Sequence, residues 1–240
     1  TGTGFLTIDG LTPKLNLAGA NSATLATTAS DCTPVVGPLE TVQTCTKLVA
    51  ILPKAALPAG DYLATVTCPP TADCTTPQAI KFVVAPPPTL TSVVPDLVCT
   101  AEGDNTLTLT GTGFLTVNGA TPTLKLSGGS SATLAVVASN CTPVPGLVEI
   151  VQSCTTLVAT LAKNALPVGD YLATVTNPAP AGCTTGQTVS FKVVPPPTLA
   201  SVVPDLACTA EGAVSLTLTG SGFLTVGTDV PSVSVGSLTL

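Results

Sequence analysis

The 240-residue chain contains no histidine, methionine or tryptophan, and all seven of its basic residues are lysine. Each absence removes a class of function. Without histidine there is no Ser-His-Asp or Cys-His arrangement, and no side chain whose ordinary pKa lies near neutrality, so the chain is expected not to be an enzyme. Paired carboxylates can hydrolyse glycosides, but such sites need a cleft and aromatic platforms, and aromatics make up only 3% of the chain. With no arginine and a net charge of −6, phosphate backbones and anionic membrane surfaces are repelled, so nucleic acid is not an expected partner. Charged residues total 8%, against about 25% in an ordinary soluble domain. Long apolar runs are missing too. Pro, Gly, Lys or Asp interrupts each one before the ~18 residues of a membrane span. No leader is legible, and because the chain opens in mid-repeat it is expected to be a window on a longer protein.

What the chain does have is a copy of itself. Thr1-Gly2-Thr3-Gly4-Phe5-Leu6-Thr7 returns at Thr110–Thr116, and again, with Ser221 for Thr, at Thr219–Thr225. Residues 1–109 and 110–218 agree at 73 positions without a gap. Solenoid units run ~20–45 residues, so a period of this length is a whole domain in tandem. Pro86-Pro87-Pro88 and Pro195-Pro196-Pro197 punctuate the period. Successive prolines hold an extended backbone without donors and act as semi-rigid spacers. Placing boundaries there gives a partial domain at 1–85 lacking its first strands, a complete domain at 86–194, and the first strands of a third at 195–240. Neither partial domain can bury a core alone. The chain is therefore a piece of a longer array, or the front of one copy completes the back of the next by strand complementation.

Nine cysteines recur with the period, except that Asn177 stands where Cys68 stands one repeat earlier. Their spacing is wide, and neither histidine nor Cys-x-x-Cys is present. They read as disulfides of an oxidising, extracellular compartment, with no metal or cofactor expected. Cys32–Cys45 and Cys141–Cys154 pair locally, each closing a long turn between two strands. A loop of that length is worth about 3 kcal/mol in the chain-entropy account. Cys74, Cys99, Cys183 and Cys208 lie in loops at opposite ends of a sandwich, too far apart to bond within one domain. They are candidates for staples between consecutive domains or subunits. Cys68 is an alternative partner for Cys74.

Alternating Leu/Val and Thr, with turn residues at short intervals, predicts strands at Thr89–Val94, Asn105–Thr110, Pro122–Leu126, Ala132–Val137, Leu157–Leu161, Tyr171–Thr176 and Val189–Val194. Seven short strands in a unit of this size predict an all-β fold of tandem immunoglobulin-like β-sandwich domains joined by Pro-rich linkers. The run Pro197–Pro204, Gly212, and Leu216–Phe223 with its Gly-x-Gly-Phe turn resembles the opening of an IPT/TIG domain. Leu166–Tyr171 followed by Ala173–Pro178 is similar to that family's late corner and strand. The resemblance implies an immunoglobulin-like fold and a place in bacterial surface proteins or receptor ectodomains. The two cysteine pairs and the Cys-bounded turn depart from the family.

Other motifs read as structure. Tyr62 and Tyr171 follow Gly-Asp as corner tyrosines do. The Gly-x-Gly motifs are not followed by a helix, so no phosphate cradle forms, and they mark a bulge or a positive-φ turn. Glu102, Asp104, Glu149 and Asp170 are scattered and lack the ladder of a calcium loop. Asn140-Cys141-Thr142 is a glycosylation triplet whose middle residue is a disulfide candidate. Outward strand positions carry Thr, Ser, Ala and Val, which suits lateral packing into a fibre or a cover of O-linked glycans. The expected function is structural: a disulfide-stabilised extracellular filament or surface stalk whose partners are copies of itself. The alternative is an adhesin whose repeats bind a glycan or a partner protein. Binding loops are usually anchored by aromatics or arginine, and these loops are poor in both.

Overall fold

A computed structural model describes residues 1–37, 39–72, 74–101, 103–208, 212–236 and 238–239. All its regular structure is β, as the alternation of Leu/Val with Thr dictates. In chain order the strands are β1 (Phe5–Ile8), β2 (Lys14–Gly19), β3 (Ser22–Pro34), β4 (Val42–Ala50), β5 (Gly60–Thr67), β6 (Ile80–Val84), β7 (Thr89–Val94), β8 (Leu97–Val98), β9 (Asn105–Val117), β10 (Thr123–Gly128), β11 (Ser131–Pro143), β12 (Val151–Leu161), β13 (Gly169–Thr176), β14 (Val189–Val193), β15 (Thr198–Val203), β16 (Thr217–Ser221), β17 (Ser234–Val235) and β18 (Leu238–Thr239).

The central eight strands join in the order β7-β9-β12-β11-β10-β13-β14-β8. One strand carries the chain between layers. The first part of β11, Ser131–Ala135, pairs with β10, and its continuation, Val136–Pro143, pairs with β12. The ladder thereby divides into two sheets whose inner faces share one core. Leu107, Leu109 and Phe114 of β9 and Leu157 and Leu161 of β12 meet Leu124 and Leu126 of β10, Val175 of β13 and Phe191 of β14, all buried. Burying each such side chain is worth about 1.5–3 kcal/mol relative to exposure. At one edge β8 runs parallel to β14. There the Lys192 amide donates to the Asp96 carbonyl at 2.7 Å and the Val194 amide to that of Val98 at 2.9 Å.

The Gly-x-Gly-Phe segment is part of β9, not a loop after it. A side chain at Gly111 would collide with the Thr89 carbonyl and the Phe114 ring. Gly113 has a φ of 70°, in the left-handed region that costs other residues energy. The strand thus passes through a bulge, with Phe114 packed over the bare glycine. β9 is accordingly longer than the predicted 105–110, and β11 and β12 likewise extend beyond their predicted spans.

The first six strands repeat this arrangement in the order β1-β4-β3-β2-β5-β6. Residues 1–85 hold no counterpart of β7, β8 or the first half of β9. Of the β4 rungs, β1 therefore covers only Val42–Cys45. At the other end of the chain, β15 and β16 pair by themselves.

Candidate functional site

Three features stand out from the repeated scaffold: an uncovered core face, an uncovered strand pair, and unbonded cysteines. The core face belongs to the six-strand unit. In the central unit Leu157, Ala159, Leu161, Phe191 and Val193 are at most 2% exposed. Their counterparts Leu48, Ala50, Leu52, Phe82 and Val84 are all only half-buried. The residues are the same or similar, so the difference comes from the missing cover. In the central unit that cover is Leu90, Val93, Val98, Leu107 and Leu109.

The strand pair β15–β16 carries the counterparts of that cover. Its register is the β7–β9 register shifted by one repeat. Thr198 faces Ser221, Val202 faces Leu218 and Val203 faces Thr217, just as Thr89 faces Thr112, Val93 faces Leu109 and Val94 faces Thr108. Both pairs break register at the same place, between Leu90 and Ser92 and between Leu199 and Ser201. Exposure inverts, however. Leu90 is 2% exposed and Leu199 is 56%.

The disulfides begin with Cys32–Cys45 and Cys141–Cys154, each with Cα atoms 4.0 Å apart. These cysteines sit directly opposite one another inside the β3–β4 and β11–β12 ladders. They are cross-strand rivets within the sheet, not closures of a long turn, because the strands run past them to Pro34 and Val42 and to Pro143 and Val151. The third disulfide joins Cys68 to Cys74. Cys74 is therefore not available as an inter-domain staple. The loop after β5 folds back so that the Cys68 amide donates to the Cys74 carbonyl at 2.7 Å, which brings the two side chains together.

The loop after β13 has the same fold, with the Asn177 amide donating to the Cys183 carbonyl at 2.9 Å. Asn177 is buried, and its side chain accepts from the Leu115 amide and donates to the Gly113 carbonyl, both at 2.9 Å. It ties the loop to β9 without sulfur. Cys183 is left unbonded and half-buried, its Sγ 3.4 Å from the carbonyl oxygen of Ala181 and 3.9 Å from that of Ala85. Cys99 is unbonded beside Val194 and Pro195, and Cys208 is unbonded and exposed.

The remaining candidates are structural where they are described. The Tyr62 and Tyr171 hydroxyls donate to the Pro58 and Pro167 carbonyls at 2.9 and 2.8 Å. The Asp104 carboxylate accepts from the Lys163 amide at 2.8 Å, and Asp170 pairs with Lys192 on the surface. Such an exposed pair contributes little. Glu149 is exposed, and Glu102 lies outside the described residues. Among the described residues no group of three or more His, Cys, Asp or Glu is placed to hold a metal ion. The Asn140 amide is engaged across the strands by Thr156 at 2.9 Å. No helix among the described residues is long and apolar enough to cross a membrane.

No protein-family model and no curated protein matches the chain. The residues and their geometry carry the functional reading.

Proposed function

We propose that the chain is a structural segment of an extracellular filament or surface stalk, built of tandem immunoglobulin-like domains at 1–85, 86–194 and 195–240. The strand order supports the immunoglobulin-like reading. Four strands (β7, β9, β12, β11) oppose a sheet that β11 shares with β10, β13 and β14, and β8 runs parallel at its edge. A corner tyrosine, Tyr171, sits near the start of β13 with its hydroxyl on the Pro167 carbonyl. The three disulfides suit an oxidising compartment.

One observation carries the structural role. The same β scaffold, with the same register and the same cross-strand disulfide, returns along the chain. Its surface is poor in the charges that usually guard strand edges. Catalysis, nucleic-acid binding and resident cofactors have no part in this reading, and the partners are further copies of the chain. Thr-rich outer faces leave room for O-linked glycans.

Electron microscopy of the assembled protein under non-reducing conditions tests the proposal. The expected result is unbranched fibres with an axial repeat of one or two domains. Monodisperse particles at every concentration count against it.

A further inference from the structure

We propose that the β11–β12 hairpin is a brace between consecutive domains: its tip docks on Lys81 of the preceding unit and fixes the angle across the Pro86–Pro88 linker. The inference rests on the division into domains at the Pro triplets. It concerns a joint inside one chain and holds whether or not copies of the chain assemble. A proline triplet sets the spacing of two domains and resists bending. A single line of backbone nevertheless leaves rotation about itself open, and a second contact away from that line stops it.

That second contact is present. The Lys81 ammonium on β6 donates to the Pro145 carbonyl at 3.3 Å and pairs with the Asp61 carboxylate on β5 at 3.0 Å. One charged donor thus bridges the two units, and hydrogen bonds from an ionised donor are the stronger kind. The methylene stem of Lys81 lies against Gly146, where an added Cβ would come within 3.1 Å of its Cδ. Gly146 also has a φ of 83°, in the left-handed region, so glycine serves both the turn and the close approach. The repeat provides an internal comparison. Lys192 and Asp170 form the same pair at 2.9 Å on β14 and β13. The Lys192 side chain is 55% exposed and that of Lys81 only 27%. Cover by the hairpin tip accounts for the difference.

The arm that carries the tip is stiffened along its length. Cys141–Cys154 joins its two strands, and the rungs Thr142–Ser153 and Pro143–Gln152 follow. Beyond them the Val144 amide donates to the Val151 carbonyl at 2.9 Å. The base of the tip is held from the side by the β9–β10 turn. There the Asn118 carboxamide oxygen accepts from the Ile150 amide at 2.9 Å, and the Asn118 amide donates to the Ile150 carbonyl at 2.8 Å. The cross-strand disulfide therefore stiffens a projecting arm as well as its own sheet.

The next linker shows the same sides facing each other. An open groove is lined by Asp170, Tyr171 and Lys192 of the central unit and by Thr225, Val226 and Gly227 beyond Pro195–Pro197. One repeat earlier those last three positions are Thr116, Val117 and Asn118, the turn that holds the base of the hairpin. At both joints the Asp–Lys pair of one unit looks onto the same side of the next, so the docking mode belongs to the repeat.

Amine acylation of the full chain, read by peptide mass spectrometry, tests the contact, with Lys192 as the control for the ion pair. Lys81 is expected to react more slowly than Lys192. G146V, which sets a branched side chain against Lys81, is expected to abolish that protection and leave Lys192 unchanged. Equal rates in the wild-type chain, or protection that survives G146V, overturn the contact. Residual dipolar couplings test the brace. Amides of β2–β6 and of β9–β14 are expected to fit one alignment tensor in the wild-type chain and two different tensors in K81E and in G146V. Two tensors in the wild-type chain overturn the brace and leave the division into domains standing. One tensor in all three chains also overturns it. If both sides of the linker then unfold in a single transition, the division falls with it.

Discussion

Position 177 differs from position 68 by one residue type, and the bonding of the loop that follows turns on it. Asn177 stands where Cys68 bonds Cys74, makes two hydrogen bonds to β9, and leaves Cys183 unbonded. N177C is predicted to draw Cys183 into an intrachain bond of the Cys68–Cys74 kind, so that thiol titration finds two unbonded cysteines per chain, Cys99 and Cys208, in place of three. Its stability reflects two opposed terms: hydrogen bonds of about 1 kcal/mol each are lost, and a short-loop disulfide is gained. Gly111 is a second decisive position. G111A forces a methyl group onto the Thr89 carbonyl and the Phe114 ring, and is predicted to destabilise the central unit by about 1–3 kcal/mol in urea unfolding. The pattern Gly-x-Gly-Phe is visible in the sequence, but the neighbour that demands the first glycine is Thr89, which only the fold brings alongside.

At the scale of strands, identical residues have different energetic roles according to what covers them. Leu109 is fully buried between two sheets, and its counterpart Leu218 is half-buried in a strand pair that packs on no sheet of its own. L109A is predicted to cost about 2–5 kcal/mol in the unfolding of the central unit, the usual toll of a core cavity. L218A, at the half-buried counterpart, is predicted to leave that transition within about 0.5 kcal/mol of its place in the same urea unfolding. Strand existence was readable from alternation, but strand length was not. β9 and β11 continue through a bulge and a layer crossing, where the pattern looks broken although the backbone pairing persists. Spacing pointed to Cys32–Cys45 and Cys141–Cys154, whereas Cys68–Cys74 was only an alternative. That Cys141 and Cys154 are cross-strand neighbours within a ladder was not legible, because spacing gives loop length and leaves register open.

For the whole molecule, a sparsely charged surface makes one collective prediction. If apolar contact drives the proposed filament, fibres persist from low salt to about 1 M, where charges beyond ~3 Å are screened. Light scattering across that range is expected to stay level, and dissolution on adding salt would point to an electrostatic joint. The repeat was legible in the period, and the six- and eight-strand units share their strand order. What packs on each face was not legible: Leu48, Phe82 and Val84 are half-buried where Leu157, Phe191 and Val193 are buried.

The amino-acid order by itself determined the repeat, the β periodicity, the local cysteine pairs and the poverty of catalytic groups, because each depends on residue type and spacing along the chain. The tertiary structure alone decided that β11 serves two sheets and that the Asn177 side chain ties the loop after β13 to β9. Those are proximities between segments far apart in sequence, set by how two layers share one core.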